Sequence, residues 1–515
     1  MKSINAATCL TLGCLLVAGC TLGPDYHGPD SVAPKALEKG FARAPADLSN
    51  LKPQANAWWR TLNDAQLDAL VDMALHDSPT LQVTRARLRQ ARAGAALQRG
   101  QSLPKAGASA AYLQAGSAGN GADTHLTLGA FDASWEFDLF GANRRAVESA
   151  QAQAQAAQHD LADAQVQLSA EVAHDYLGLR EQQQRAALAR QSQALEEQTL
   201  VLTEQRLAGG TASQLDLERV RTQVQTTRSA IIALDGAVLE SLDQLALLCG
   251  LAPATLDSRL STPQPLPEMP ANLAIGDPAQ LLRQRPDIRA AERELAGYTA
   301  NIGQQRAGAF PKVSLFGSLS MVATDSGSLL HKDNLAWLGV PYLQWDVLDF
   351  GRNEARVDQA EARRDEAQAH YAAIVLAALR DANVALSRFG TDRQNVVAQA
   401  QVEASASRAA TLTRQRYRAG TSTALGWLDA ERTHYSAQQD LIERQAQWLK
   451  DYVALHKSLG LGWQASPPPE SPIQRGALGR PPERVAAGAL PLRPWPVRTP
   501  PVSVVAMAPV HTPGQ

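Results

Sequence analysis

Thiol and imidazole groups are the first candidates for chemistry in this sequence, because they serve as nucleophiles, proton carriers and metal ligands. Three of the four cysteines are Cys9, Cys14 and Cys20, and the fourth, Cys249, stands alone far along the chain. The ten histidines are scattered, and neither a His-Glu-x-x-His motif nor a Gly-x-Ser-x-Gly nucleophile motif occurs. The sequence therefore holds no disulfide framework, metal knuckle or catalytic constellation, and we predict a protein that is not an enzyme and uses no cofactor.

One thiol is nevertheless placed for a covalent modification. Lys2 and the apolar stretch 6–17 form a secretory signal that is too short to span a membrane, and it ends in Leu-Val-Ala-Gly-Cys at 16–20. This ending is similar to the lipobox of bacterial lipoproteins, which implies that Cys20 is lipidated as the first residue of the mature chain. The alternative is a plain signal peptide with an incidental cysteine. By the same resemblance, the absence of Asp at Thr21 favours delivery to the outer membrane.

Charge and composition further limit the class of protein to which this sequence can belong. Lys and Arg total 49 against 51 Asp and Glu, so the formal net charge of −2 lacks the basic excess of a nucleic-acid-binding protein. Only 5% of the residues are aromatic, which suits long helices packed through small side chains better than a large globular core. No segment after the signal approaches 18 consecutive apolar residues, so a membrane crossing would require a closed β-barrel.

The chain contains an internal repeat with a constant offset. The block Trp135–Gly141 is echoed at Trp345–Gly351, and Gln205–Thr211 is echoed at Gln415–Thr421, both 210 residues later. Agreement of distant blocks at a single offset indicates two copies of one structural unit.

Each copy contains a long helix and a shorter one before it. Small and apolar residues recur at steps of three and four after each echoed block, which predicts helices at 142–206 and 352–416, each about 100 Å long. The helices upstream, at about 80–102 and 287–309, have the length to stack end to end with the helices that follow the long ones. Two stacked helices then run beside each long helix.

The resulting plan is an α+β membrane protein with two tandem repeats, each a β-hairpin plus long coiled-coil helices. Repeat 1 covers 65–252, with strands at about 105–115 and 126–137, the long helix 142–206, a tip at 209–211 and a helix at 212–250. Repeat 2 covers 278–463, with strands at about 312–322 and 335–348, the long helix 352–416, a tip at 419–421 and a helix at 422–460. The remaining segments are a signal peptide at 1–19, a lipidated N-terminal segment at 20–64, a proline-rich linker at 253–277 and a tail at 466–515 that holds 13 of the 29 prolines and is expected to be disordered.

The two hairpins predict that the protein is an oligomer. Their strands of about 10–13 residues suit a tilted membrane span, and four strands cannot close a barrel wide enough to conduct solutes, so the plan requires an oligomer. Trp135, Trp337 and Trp345 lie on these strands, either in an aromatic girdle at the lipid interface or packed on the helices.

From 20 to 463 the sequence resembles the TolC-like outer-membrane efflux proteins, and in particular their NodT-type lipoproteins. The resemblance rests on Cys20–Tyr26, on Trp58-Trp59, on the segment 281–292 (LLRQRPDIRAAE), on Phe310-Pro311 and on the block Trp135–Gly141. It implies a homotrimer in which four strands from each chain form a 12-stranded β-barrel in the outer membrane, while the helices form a tunnel in the periplasm.

The resemblance also gives roles to the two tips, which lie at the inner, periplasmic end of the tunnel and constrict it at rest. The implied gate and pore-tip residues are Gly210, Thr211, Asp216, Tyr417, Gly420, Thr421 and Asp429. Gly426 and Ser422 depart from the residues that some members carry there, so the closing network must differ in detail. For Asp216 and Asp429 the alternative is a solvated carboxylate on a helix face, and for Tyr417 it is ordinary packing between helices.

The function that follows is a passive exit duct for drugs or other small toxic solutes. Such a duct is joined by a periplasmic adaptor protein and by an inner-membrane pump of the RND or MFS type, and it is held in the outer-membrane lipid. The alternative is a non-conducting periplasmic coiled-coil structural lipoprotein. The paired amphipathic hairpins favour the duct, because a coiled-coil spacer does not need them.

Overall fold

The computed structural model describes residues 21–29, 57–116, 123–270, 284–324 and 326–463. The predicted signal peptide, Cys20 and the proline-rich tail lie outside these residues, as do residues 271–277 of the linker. The described helices and strands are α1 (Ala65–Asp77), α2 (Pro79–Gln101), β1 (Lys105–Gly116), β2 (Asp123–Phe137), α3 (Ala142–Ala208), α4 (Gln214–Leu248), α5 (Asp257–Leu260), α6 (Pro286–Ala307), β3 (Lys312–Ala323), β4 (Leu335–Gln344), α7 (Arg352–Arg418) and α8 (Ala424–Ser458). A short 3-10 helix, Trp58–Leu62, precedes α1.

The four strands form one antiparallel sheet in the order β1-β2-β3-β4. Phe131 on β2 lies opposite Leu319 on β3, and Leu319 lies opposite Trp337 on β4. The two hairpins, which are far apart in the chain, are therefore joined through β2 and β3, and β1 and β4 form the two edges of the sheet.

The fourth strand ends at Gln344, whereas the sequence predicts strand to residue 348. The chain leaves the sheet at this point because Trp345 donates from Nε1 to the carbonyl oxygen of Ala309 at 3.0 Å. Phe350, two residues past the predicted strand end, has a φ of +53°, in the left-handed region. Trp135 makes the same kind of bond to the carbonyl oxygen of Ser102 at 3.2 Å, so these two indoles are tied to the helical part.

The long helices α3 and α7 organise the helical part. Each contains 67 residues, which corresponds to about 100 Å. Helix α3 packs against α2 and α4 of its own repeat and against α6 and α8 of the other, and α7 packs against α6 and α8. Each long helix is thus accompanied by two shorter helices from its own repeat.

The shorter helices meet end to end at two equivalent glycines. Gly250, after α4, has a φ of +74°, and a Cβ there would lie 2.8 Å from the carbonyl oxygen of Asp77 at the end of α1. Gly460, after α8, has a φ of +70°, and a Cβ there would lie 2.7 Å from Cγ of Arg285, which precedes α6. Only glycine combines this backbone conformation with so close an approach. The glycines therefore let α4 reach the start of α2 and let α8 reach the start of α6.

The most deeply buried part of the chain lies around these junctions. Trp58 and Trp59 are buried against α8, where Trp58 stacks on His456 with ring centres 5.1 Å apart. The carboxylate of Asp64 accepts hydrogen bonds from the first backbone amides of α1 and another from the hydroxyl of Tyr176 on α3 at 2.6 Å. This core fixes the middle of the helices, and their hairpin ends extend beyond it. Among the described helices, none combines the length and the apolar character needed to span a membrane.

Candidate gate at the helix-hairpin tips

The first tip joins α3 to α4 through a tight glycine turn. Gly210 has a φ of +69°, a conformation in which a side chain is strained. Thr211 then donates from its backbone N to the carbonyl oxygen of Arg206 at 2.8 Å, and from Oγ1 to the same oxygen at 3.1 Å. These bonds satisfy a carbonyl at the end of α3 and close the turn.

The second tip, between α7 and α8, has the same construction. Gly420 has a φ of +72°. Thr421 donates to the carbonyl oxygen of Arg416 from its backbone N at 2.9 Å and from Oγ1 at 3.1 Å. The four predicted tip residues Gly210, Thr211, Gly420 and Thr421 thus form two matched turns at the far ends of the long helices from the sheet.

Asp216 lies in the first turn of α4, where it completes a capping box with Ser213. Ser213 Oγ accepts from the backbone N of Asp216 at 3.1 Å, and Asp216 Oδ2 accepts from the backbone N of Ser213 at 3.2 Å and from its hydroxyl at 2.6 Å. The hydrogen bonds from Ser213 lower the pKa of the half-buried Asp216 carboxyl below its ordinary value. The partners of Asp216 within this chain are therefore local, and a role of Asp216 between hairpins stays a prediction.

The start of α8 shows why the two tips differ. Thr423 Oγ1 accepts from the backbone N of Gly426 at 3.1 Å, so the first half of the box is present. Gly426 stands 210 residues after Asp216 and has no side chain to complete it.

Tyr417 is the predicted tip residue that joins the two hairpins. It is buried, and its ring stacks on Trp427 of α8 with centres 5.2 Å apart and planes inclined by 17°. On the other side, the guanidinium carbon of Arg206, in the last turn of α3, lies 4.3 Å from the centre of the Tyr417 ring. This cation–π contact links α3 of repeat 1 to α7 of repeat 2.

A polar network holds the aromatic pair in place. Trp427 donates from Nε1 to Glu431 Oε1 at 2.9 Å, and Arg414 Nε donates to the same oxygen at 3.1 Å. The carboxylate of Glu431 therefore fixes Trp427 on α8 against α7. Tyr417 stacks on an indole that is itself held by an ion pair.

Asp429 has no comparable role within the chain. Its carboxylate accepts from Arg432, one turn further along α8, at 2.8 Å, and both side chains are exposed. A pore-facing role for Asp429 stays a prediction that depends on neighbouring chains.

Arg206, Trp427 and Glu431 are the tip residues that the sequence analysis missed. The repeat itself holds a signal for Trp427, because Trp427 stands where repeat 1 has Leu217, just as the predicted Tyr417 stands where repeat 1 has Leu207. Two aliphatic residues of one copy are aromatic in the other, and the two rings meet. Contact of Arg206 with Tyr417 leaves no such signal, because it joins different repeats.

The other predicted site, Cys20, lies outside the described residues, but the segment after it is held at the opposite end of α3 from the tip. Leu22 donates from its backbone N to the carbonyl oxygen of Phe140 at 3.3 Å. The buried Arg145 donates to the carbonyl oxygen of Leu22 at 3.1 Å and to the carboxylate of Asp25 at 2.6 Å. The chain that follows Cys20 is thus fixed where β2 passes into α3, and lipidation of Cys20 stays a prediction.

Across the described part of the chain, no group of three or more His, Cys, Asp and Glu side chains is arranged to hold a metal ion. Burial raises the pKa of the Cys249 thiol to about 11, which keeps it protonated and unreactive near neutral pH.

Comparison with known proteins agrees with this architecture. The family model described as outer membrane efflux protein matches residues 70–251 and 278–461, which correspond to the two repeats. The chain is 28% identical over 453 residues to nodulation protein T of Rhizobium leguminosarum bv. trifolii, covering 87% of this chain and 96% of that protein. It is 29% identical over 465 residues to the antibiotic efflux pump outer membrane protein ArpC of Pseudomonas putida, covering 88% and 95%.

Among solved structures, the outer-membrane channel OprN is 34% identical and superimposes with a TM-score of 0.77, covering 86% of this chain and all of that one. The predicted fold and the predicted resemblance to TolC-like, NodT-type proteins are confirmed by these matches. The chain therefore belongs to the outer membrane efflux proteins.

Proposed function

We propose that three copies of this chain form the passive exit duct of a tripartite efflux system. The observation that carries the proposal is a sheet rich in exposed apolar side chains, attached to helices about 100 Å long. The exposed residues include Tyr112, Phe131, Leu315, Leu319, Trp337, Leu338, Tyr342 and Leu343. In water such a surface favours aggregation, whereas lipid accepts it.

The edges of the sheet give the reason for three copies. Among the described residues, strands β1 and β4 each leave one row of backbone groups unpaired, and backbone groups cannot stay unpaired in lipid. Pairing β4 of one copy with β1 of the next satisfies both rows, and a ring of three copies gives twelve strands. The helices then surround a tunnel that leads into the periplasm.

The duct performs no chemistry and couples to no energy source in this proposal. A periplasmic adaptor protein and an inner-membrane pump of the RND or MFS type supply the solute and the energy. The exported solutes are drugs or other small toxic compounds, and the relation to an antibiotic efflux pump component supports that class. The outer membrane holds the duct through the sheet and through the lipid on Cys20.

The gate in this proposal lies at the two tips, and its central contact is the one between Arg206 and Tyr417. When three chains converge, six hairpin ends surround one axis, and an opening movement that separates the hairpins of one chain must break this contact. In the closed ring, the exposed carboxylate of Asp429 and the half-buried carboxylate of Asp216 face neighbouring chains.

The oligomeric state tests the architecture. The full-length protein, extracted from membranes in detergent, is expected to have the mass of three chains by light scattering corrected for bound detergent. A stable single chain that still conducts in a bilayer contradicts the proposal. A monomeric or dimeric protein that never conducts instead supports the non-conducting spacer.

A further inference from the structure

A buried carboxyl group lies between the two helices of the second hairpin. Asp451 on α8 is 4% exposed, and its Oδ1 accepts a hydrogen bond from Gln447 Nε2 at 3.0 Å. Its other oxygen, Oδ2, has no donor among the described residues. A buried carboxylate oxygen without a donor is unfavourable, so this oxygen requires a partner.

The nearest candidate is a second carboxyl group. Asp392 on α7 is the neighbouring carboxyl group, and its own Oδ1 already accepts from Asn395 Nδ2 at 2.8 Å. Two ionised carboxylates are acceptors only, so they cannot bond to each other until one of them carries a proton. A single shared proton supplies the donor that Asp451 Oδ2 lacks.

The equivalent position of repeat 1 shows the same link without a titratable group. Gln182 and Ser241 stand 210 residues before Asp392 and Asp451. Ser241 donates from Oγ to Gln182 Oε1 at 2.8 Å, which joins α3 to α4. Repeat 1 therefore bridges these two positions with neutral side chains, whereas repeat 2 has a carboxyl group at each of them.

A neighbouring arginine partly compensates the negative charge of the pair. Arg388 on α7 is the cation that favours the ionised form of Asp451. On the α3 side, Glu181 is already paired with Lys450 at 2.7 Å. His456, further along α8, is buried, and burial lowers its pKa to about 4, so it is neutral near neutral pH.

We propose that Asp392 and Asp451 share one proton and form a pH-sensitive contact that holds α7 against α8 in acid and weakens in alkali. Burial, with the neighbouring Asp392 as the next cause, raises the pKa of Asp451 to about 7. The folded chain thus keeps a proton that the unfolded chain releases near pH 4. The stabilisation is complete below about pH 4 and is lost as the pH rises through about 7.

Infrared difference spectra test the shared proton directly. Between pH 6 and pH 8.5 the wild-type trimer is expected to lose the C=O stretching band of a protonated carboxyl, because ordinary carboxyl groups are already ionised at pH 6. D451N is expected to lack this change, whereas D440N, which alters an exposed carboxylate on the same helix, is expected to keep it. A wild-type protein without the change, or a D451N protein that retains it, overturns the proposal.

The bridge of repeat 1 supplies a second variant that preserves the hydrogen bond. D392Q/D451S places the Gln and Ser side chains of repeat 1 into repeat 2, so it serves even where D451N does not fold. Between pH 5 and pH 8.5 the melting temperatures of both proteins are expected to fall. The fall is expected to be about 3 °C smaller for D392Q/D451S than for the wild type. Equal falls in the two proteins contradict a proton-dependent contact at this place.

Discussion

Arg206 and Tyr417 join the two halves of the chain at the tips, with the guanidinium carbon 4.3 Å from the centre of the ring. Arg206 is in the last turn of α3 and Tyr417 is in the last turn of α7, so the ends of these two helices cannot move apart without breaking this contact. Tyr417 also stacks on Trp427 of α8, so its ring has a second contact within its own hairpin.

Replacing Arg206 by Ala is therefore expected to favour the open gate. A cation–π contact contributes about 0.5–2 kcal/mol, which corresponds to a shift of roughly 2- to 30-fold in the closed–open balance. The measurement is the conductance of the purified trimer in planar bilayers, together with uptake of bulky antibiotics by cells that lack the pump.

R416A is the matched control for R206A. Arg416 stands 210 residues after Arg206, in the last turn of α7, which is equivalent to the last turn of α3. The side chain of Arg416 is exposed. R416A is expected to conduct like the wild type. If R206A and R416A change conductance equally, the effect is one of charge at the tip and not of the contact with Tyr417.

The capping box gives a prediction for Asp216 that separates its local role from a gating role. D216A removes the acceptor for the backbone N of Ser213, so the amides of the first turn of α4 are expected to exchange hydrogen faster than in the wild type. The pKa of Asp216 is lowered, so its contribution is present at neutral pH and is lost as the pH falls through that lowered value. The difference between D216A and the wild type should therefore shrink in strong acid.

Hydrogen exchange followed by mass spectrometry measures this difference peptide by peptide. Peptides from the start of α8, where Gly426 replaces the acid, provide an internal comparison that D216A should leave unchanged. Faster exchange at α8 as well would indicate that Asp216 contacts a neighbouring hairpin, as the gating role requires.

The two junction glycines give a prediction about stability. G250A places a Cβ at 2.8 Å from the carbonyl oxygen of Asp77 and forces a positive φ on Ala, so it is expected to cost about 1–3 kcal/mol. Gly236, on α4, is the control, because a Cβ there would meet no heavy atom within 4 Å beyond its chain neighbours and the backbone of its own helix. G236A is expected to be neutral or to stabilise the helix.

Thermal unfolding of the two variants, followed by circular dichroism, compares these effects. If G250A has the same melting temperature as G236A, then α4 and α2 do not meet as closely as described.

Lipidation of Cys20 has a control within the chain. Cells fed a clickable palmitate analogue are expected to label the wild-type protein and the C249S variant, because Cys249 is fully buried. C20S is expected to carry no label, yet some of it should still insert in the outer membrane through the sheet. Labelled C20S protein, or an unlabelled wild type, contradicts the assignment of the lipid to Cys20.

The sequence predicts the helices and hairpins well because their determinants are local. Apolar residues at steps of three and four are sufficient to predict a helix. Alternating apolar and polar residues on both sides of a polar loop are sufficient to predict a hairpin. The structure places α3 at Ala142–Ala208 and β1 at Lys105–Gly116, close to the positions that these patterns indicate. The early end of β4 depends instead on Trp345 reaching Ala309, a contact that alternation does not encode.

The site was predictable only in part, for the same reason. Gly210 and Gly420 follow from turn chemistry, and Ser213 with Asp216 forms a capping motif that is visible in the sequence. The contact of Arg206 with Tyr417 joins residues from different repeats, so no spacing rule reveals it.

Conductance of the wild-type protein in a planar bilayer tests the central claim most directly. The purified, full-length trimer is expected to give discrete current steps that are small or infrequent at rest, and R206A should give larger or more frequent ones. If both proteins are trimeric, folded and inserted in the bilayer, yet neither gives any current step, the chain is not an exit duct.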